Sequence, residues 1–302
     1  MLEIRRVLCP VDFSDASARG LKYAIVLARL YGARVTVLHV ADVRADAPME
    51  PSFEGTPRRA AVLAPAETER VVQAIAAFVN ERAHPDVSFE PMVRLGRPSI
   101  EILQAADAVS ADLIVMGTHG HEGFDRLVMG SVTEKVVRKS RRPVLSVPPH
   151  AASSSQAAIA IERILCPVVF SEPSMKALQC AVSLAEEADA CLTVVHVADV
   201  LSAHAFPVYD RLDLPALQAE HERQLRYRLR EFVPIAARAY CTIEEQVRAG
   251  TAWREIIALA EERQAQMIVM GVTARTAPDT TVFGSTTEQV VRQAPCPVLT
   301  MR

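Results

Sequence analysis

The chain has 302 residues, half of them hydrophobic, and a formal charge of −3. That length suits two domains of about 150 residues, each able to bury its own core. No basic field is available to neutralise phosphates, which argues against nucleic acid as a partner, and no apolar run reaches the roughly 18 residues of a membrane span.

The first residues, MLEIRRVLCP, are a short charged lead into an apolar run and lack the long apolar segment of a secretion signal. RRVLCPV reads as a strand. Ser14 to Tyr31 follows with helical spacing at Leu21, Ile25 and Ala28, and Ser14 or Asp15 can cap it. RVTVLHV is the second strand, and residues 44–66, with several prolines, read as an irregular loop. Val71, Ile75, Phe78 and Arg82 mark one face of the next helix. VSFEPMVRLG is a strand, PSIEILQAADAVS a helix opened by Pro98, and DLIVMG a strand. SVTEKVVRKS is a helix stopped by Pro143, and PVLSV closes the series as a fifth strand. Strands separated by helices argue for a parallel sheet covered on both faces.

The second half repeats this order. Shifted by 157 positions, residues 4–43 lie over 161–200 without a gap, with 21 identities in 40 positions. A second block, shifted by 154, sets VRLGRPSIEIL over VRAGTAWREII and GSVTEKVVRKSRRPVL over GSTTEQVVRQAPCPVL. Between the halves, PHAASSSQAAIA (149–160) is small and polar, as a linker should be. The expected domains are therefore 1–148 and 161–302. The six cysteines (Cys9, Cys166, Cys180, Cys191, Cys241 and Cys296) form no CxxC pair and mostly sit in apolar runs. They read as buried, reduced thiols of a cytoplasmic protein.

One stretch has the composition of a ligand loop. Residues 116–132, MGTHGHEGFDRLVMGSV, run from a strand end at Gly117 through Gly120 to Gly130 and Ser131 at a helix start. Glycines let a backbone approach a ligand, and a helix start offers unpaired N–H groups to phosphate. The alternative is purely structural: Ser131-x-x-Glu134 and Ser285-x-x-Glu288 both have the form of a capping box.

The spacing G-x2-G-x9-G-S/T, an early strand ending in P-x-D and a second strand ending in H-V resemble the ATP-binding branch of the universal stress protein family. The likeness covers nearly all of both halves and fails in the middle loops and linker. It implies an α/β fold of two tandem doubly wound domains. Each would have a five-stranded parallel sheet of order 3-2-1-4-5, the two paired as a pseudo-dimer through PVLSV and PVLTM, with a further homodimer possible. It implies ATP as ligand, with Mg2+ carried on the nucleotide. Pro10 and Asp12 would meet the adenosine part, Val40 would present its backbone to adenine, and Met116 and Gly117 would sit at the ribose. Gly120, Gly130, Ser131 and Val132 would line the phosphates.

In the second half Asp12 becomes Val169 and Gly120 becomes Ala274, whereas Gly271, Gly284 and Ser285 remain. A single working site, in the first half, is expected. His119, His121, Glu122 and Asp125 match no established metal-ligand spacing and read as a solvated loop flank. His39 and His196 occupy matching strands and read as structural. Arg97 and Arg126 fit a phosphate contact or the surface equally. EHERQLRYRLREF (220–232) reads as a solvated helix with Leu225, Leu229 and Phe232 on its core side. The implied function is an ATP-binding regulator of the stress response. A slow ATPase or phosphotransferase, or a scaffold that binds proteins and no nucleotide, are the alternatives.

Overall fold

A computed structural model describes residues 3–41, 64–118, 129–149, 151, 159–198, 214–272, 275–277, 280–282 and 284–302. The chain divides into two compact units, one of residues 4–149 and one of residues 1–3 and 150–302. The first unit contains β1 (Arg6–Pro10), α1 (Asp15–Tyr31), β2 (Arg34–Ala41), α2 (Pro65–Asn80) and β3 (Phe89–Leu95). It continues with α3 (Pro98–Ala108), β4 (Leu113–Gly117), α4 (Ser131–Lys139) and β5 (Val144–Val147). All its strand pairs are parallel, in the order β3-β2-β1-β4-β5.

β1 and β4 lie at the centre and are apolar on both faces. Val7, Leu8, Cys9, Leu113, Ile114 and Val115 are all fully buried. Burying each large aliphatic side chain contributes about 1.5–3 kcal/mol, so the sheet centre carries much of the unit's stability. α1 lies against this centre through Gly20, Leu21, Ala24 and Ala28. It starts where the Ser14 hydroxyl accepts the Ser17 N–H. It stops at Gly32, whose left-handed backbone (φ 64°) turns its N–H onto the Ala28 carbonyl. In α2 the buried stripe is Ile75 and Val79. Arg82, expected on that stripe, lies past the helix end and donates to the Phe78 carbonyl at 2.7 Å.

The second unit contains β6 (Arg163–Pro167), α5 (Glu172–Ala188), β7 (Cys191–Ala198), α6 (Leu214–Phe232) and a short 3-10 turn (Ile235–Ala239). β8 (Ile243–Ala249), α7 (Ala252–Glu262) and β9 (Met267–Gly271) follow. Then come a hairpin of β10 (Arg275–Ala277) and β11 (Thr280–Val282), α8 (Ser285–Gln293) and β12 (Val298–Met301). Its parallel sheet has the same order, β8-β7-β6-β9-β12. The antiparallel pairing of β10 with β11 was not expected from sequence. Leu225 and Leu229 of α6 are buried and the rest of the helix is largely solvated, as its pattern suggests. Among the described residues, no helix is long and apolar enough to cross a membrane.

Candidate functional site

The strand order reverses between β1 and β4. The carboxyl ends of the strands at such a point are the general ligand position in doubly wound sheets. Most of the residues singled out by sequence come to this edge of the first unit. Pro10 closes β1, Asp12 follows it, Val40 lies near the end of β2, Met116 and Gly117 close β4, and Gly130, Ser131 and Val132 open α4. Gly120, His119, His121, Glu122, Asp125 and Arg126 lie outside the described residues, as does Ala274 of the second unit. Arg97 is at the start of α3, where its side chain makes no capping bond.

Asp12 organises the turn into α1. Its Oδ1 accepts the Ser14 N–H at 3.0 Å and the Ser14 hydroxyl at 2.5 Å. That hydroxyl in turn accepts the Ser17 N–H at 3.2 Å. Asp12 is half-buried just past the carboxyl end of β1. It thus has both a turn-holding role and a position from which to receive a ligand hydroxyl.

The register of β2 decides what Val40 can do. The Leu38 carbonyl accepts the Val11 N–H at 2.7 Å on the β1 side, and the Ala41 carbonyl accepts the Gly96 N–H at 3.0 Å on the β3 side. Backbone groups alternate sides along a strand. The N–H and C=O of Val40 therefore face the β1 side, beyond the last β1 residue, Pro10, which pairs with Leu38. A donor and acceptor set side by side above a strand end suits the edge of a purine.

Gly117 has a packing reason that its sequence position did not disclose. A Cβ there would lie 2.5 Å from the Ala16 carbonyl oxygen and 2.7 Å from its carbon. The first turn of α1 sits directly on the end of β4, and only glycine allows it. Thr133 of α4 holds the same residue from the other side, donating to the Gly117 carbonyl at 2.9 Å. Gly271 in the second unit is confined in the same way by the Pro173 carbonyl.

The capping-box reading of Ser131 does not hold. Gly130 is the N-cap and Ser131 the first helical residue, one place too late to cap. Gly130 is drawn into that place because its N–H donates to the Thr118 carbonyl at 2.6 Å, while Thr118 N–H is itself held by the Val147 carbonyl at 2.9 Å. Ser285 is displaced from its expected box in the same way, behind Gly284. The first helical bond runs from Glu134 N–H to Gly130 at 3.0 Å. The amides of Ser131, Val132 and Thr133 thus have no partner within the helix, and they carry its positive dipole end. Ser131 is exposed and Val132 half-buried.

One wall of the site escaped sequence reasoning. His39 Nδ1 bonds the Val11 carbonyl at 2.8 Å, and its ring stacks on Phe13 with centroids 4.7 Å apart. Phe13 meets Phe78 edge-on at 5.5 Å, and the Arg82 guanidinium lies 4.2 Å from the Phe78 centroid. Phe13 adopts a φ of 63°, uncommon for so bulky a residue. The second unit reproduces this with His196 on the Val168 carbonyl and Phe170 (φ 50°) tilted against His196 and edge-on to Phe232. The matching positions of these phenylalanines in the two halves were the available signal. The histidines are structural in both units.

The second unit departs at Val169, which replaces the carboxylate and is 57% exposed. Its N–H is taken by the Ser174 hydroxyl at 3.2 Å, so the turn closes without an acid. Cys9, immediately before the site on β1, is fully buried. Desolvation pushes its thiol up to about 12, which removes it as a nucleophile. Among the described residues, no group of His, Cys, Asp or Glu is placed to hold a metal ion.

A family model described as the universal stress protein family matches residues 3–148 and again 160–302. Universal stress protein MJ0531 of Methanocaldococcus jannaschii is 32% identical over 145 residues, which is 47% of this chain and 81% of that protein. A universal stress protein of Thermus aquaticus is 36% identical over 144 residues, 47% of this chain and 98% of that protein. The crystal structure of a universal stress protein from Archaeoglobus fulgidus superposes with a TM-score of 0.67. It covers 98% of this chain and 96% of its own at 22% identity, a likeness of fold. With its two parallel α/β units and both halves matched, the chain belongs to the universal stress protein family as a tandem of two family domains.

Proposed function

We propose that the chain is an ATP-binding regulatory protein of the stress response, with one working nucleotide site in its first domain. The domains run over 1–148 and 161–302, with 149–160 between them. The observation that carries the reading is the convergence of three kinds of hydrogen-bonding group at one sheet edge: the outward-facing backbone of Val40, the accepting carboxylate of Asp12 and the open amides of α4.

Each suits a different part of the ligand. Val40 N–H and C=O pair with the adenine edge, beside Pro10. Asp12 accepts from a sugar hydroxyl, with Met116 and Gly117 forming the floor below the ribose. The amides of Ser131 and Val132 and the glycines at 120 and 130 take the phosphates, whose charge the helix dipole favours. Mg2+ travels with the phosphates and needs few protein ligands. Binding exerts its effect by tying β2, the β1–α1 turn and the start of α4 to one molecule.

The second domain keeps the outward backbone and the helix start but loses the acid. A hydrogen bond to a charged group contributes about 1.5–3 kcal/mol, roughly a ten- to hundredfold difference in affinity. The test is calorimetric titration of the full chain with ATP, ADP, AMP and cAMP, alongside mass spectrometry of nucleotide released on denaturation. One ATP per chain, lost in Asp12→Val and recovered as a second site when Val169→Asp is combined with Ala274→Gly, is expected. Equal occupancy of both domains in the unaltered chain, or full binding by Asp12→Val, would overturn the proposal.

A further inference from the structure

The opposite edge of the first unit's sheet, at the amino ends of β1, β2 and β3, has a recess of about 580 Å³. Arg5, Arg6, Arg34, Asp86 and Ser88 line it. The register makes Arg6 and Arg34 direct partners on neighbouring strands. Val35 pairs with Phe89, so Ser88 falls beside Arg34 in the same row. Like charges set directly opposite one another destabilise a strand pair. Nothing in the fold requires this one.

Neither Asp112 nor Asp86 is ion-paired with Arg6 or Arg34. Asp112 is committed to the main chain, accepting from both Arg5 N–H and Arg6 N–H at 2.9 Å. Asp86 pairs with His84 at 3.3 Å. Among the described residues, neither Arg6 nor Arg34 has an acidic partner within ion-pair distance. The carboxyl end of α1 lies at this edge and supplies about half a negative charge, too little for the guanidinium groups of Arg6 and Arg34.

The second unit serves as an internal control. A recess of about 410 Å³ occurs at the corresponding place, lined by Asp189, Arg238, Tyr240, Cys241 and Thr242 among others. The positions matching Arg5, Arg6 and Arg34 are Glu162, Arg163 and Cys191. Arg163 lies opposite Cys191 rather than a second arginine. Its guanidinium is tied to Glu162 at 3.5 Å and to the Gln264 carbonyl at 3.1 Å. α5 also ends at this place, but the other arginines near it are ion-paired, Arg238 with Glu245 and Arg263 with Glu244. The fold is preserved, and among the described residues two arginines set directly opposite one another occur at this edge in the first copy alone.

We infer that this edge of the first domain is a second anion site, which binds a small, multiply charged phosphate compound between Arg6 and Arg34. Neighbouring strands are about 4.8 Å apart, so both guanidinium forks reach one phosphate group or two linked ones. Arginine presents paired donors matched to phosphate oxygens and stays charged at all working pH values. Ser88 adds a hydroxyl donor and Arg5 closes the rim. A recess backed by main chain at Gly32 and Ala33 favours a small ligand over a broad polyanion surface, and the chain's net charge of −3 opposes nucleic acid.

The experiment is titration of the full chain with pyrophosphate, followed by calorimetry and by melting temperature, for the unaltered protein, Arg6→Gln, Arg34→Ser and Asp12→Val. Saturable binding is expected, weakened about tenfold or more by either arginine substitution and unchanged by Asp12→Val. Without ligand, Arg34→Ser should melt no lower than the unaltered chain, since it relieves repulsion. Absence of saturable binding, or binding equal in the unaltered chain and both arginine variants, overturns the inference. ATP binding at the other edge is read separately through Asp12→Val, so the two proposals fail independently.

Discussion

Gly117→Ala tests the junction on which the candidate site is built. The added Cβ would lie 2.5 Å from the Ala16 carbonyl oxygen, where ordinary contact begins at 3.4 Å. The first turn of α1 would have to retreat by about 0.9 Å. It cannot retreat freely, because the Ser14 cap and Asp12 fix its start and Thr133 holds the Gly117 carbonyl. Overpacking of this kind costs about 1–3 kcal/mol. For a unit of this size each kcal/mol lowers the melting point by roughly 2–4 °C. Calorimetric melting of the ligand-free chain should show the first domain destabilised by that amount. Gly271→Ala should do the same to the second domain, where the Pro173 carbonyl replaces that of Ala16. Gly32→Ala is the contrast: nothing lies within 4 Å of its Cβ, but its φ of 64° is unsuited to a side chain. Its cost, about 1 kcal/mol, comes from the backbone alone. Unchanged melting of Gly117→Ala and Gly271→Ala would refute the packing argument and return both glycines to a ligand role.

Ser14→Ala removes the cap of α1 and should cost about 1 kcal/mol in urea unfolding. Ser171→Ala should cost less, because its bond to Ser174 N–H is longer, 3.4 Å against 3.2 Å. His39→Leu and His196→Leu each strand a carbonyl, of Val11 and Val168 respectively, and should lower stability by about 1–3 kcal/mol in their own domains; a silent variant in either would contradict the structural role. Burial raises the thiols of Cys9, Cys180 and Cys296 from 9.0 to about 12, and that of Cys166 also upwards. Their contribution to stability is complete below the ordinary thiol range and is lost as pH rises from about 9 towards 12, which alkaline melting curves would report. At neutral pH a thiol reagent should modify only Cys191 and Cys241 in the folded chain, since the other four are buried.

Local pattern and repetition carry a long way in this chain. The apolar runs of β1 and β4, the caps at Ser14 and Gly32 and the order of strands and helices all depend on near neighbours in sequence, so they are legible there. The difference between Asp12 and Val169 is equally visible, because the halves align without a gap at that point. Other features depend on what another element brings to a position. Gly117 is glycine because α1 lands on β4. Ser131 fails to cap α4 because Thr118 draws Gly130 into the cap. The Val40 backbone is left open beyond β1 because β2 outruns β1, and Arg6 meets Arg34 because two strands pair in one register. Such contacts join residues distant along the chain, and only the tertiary structure decides them.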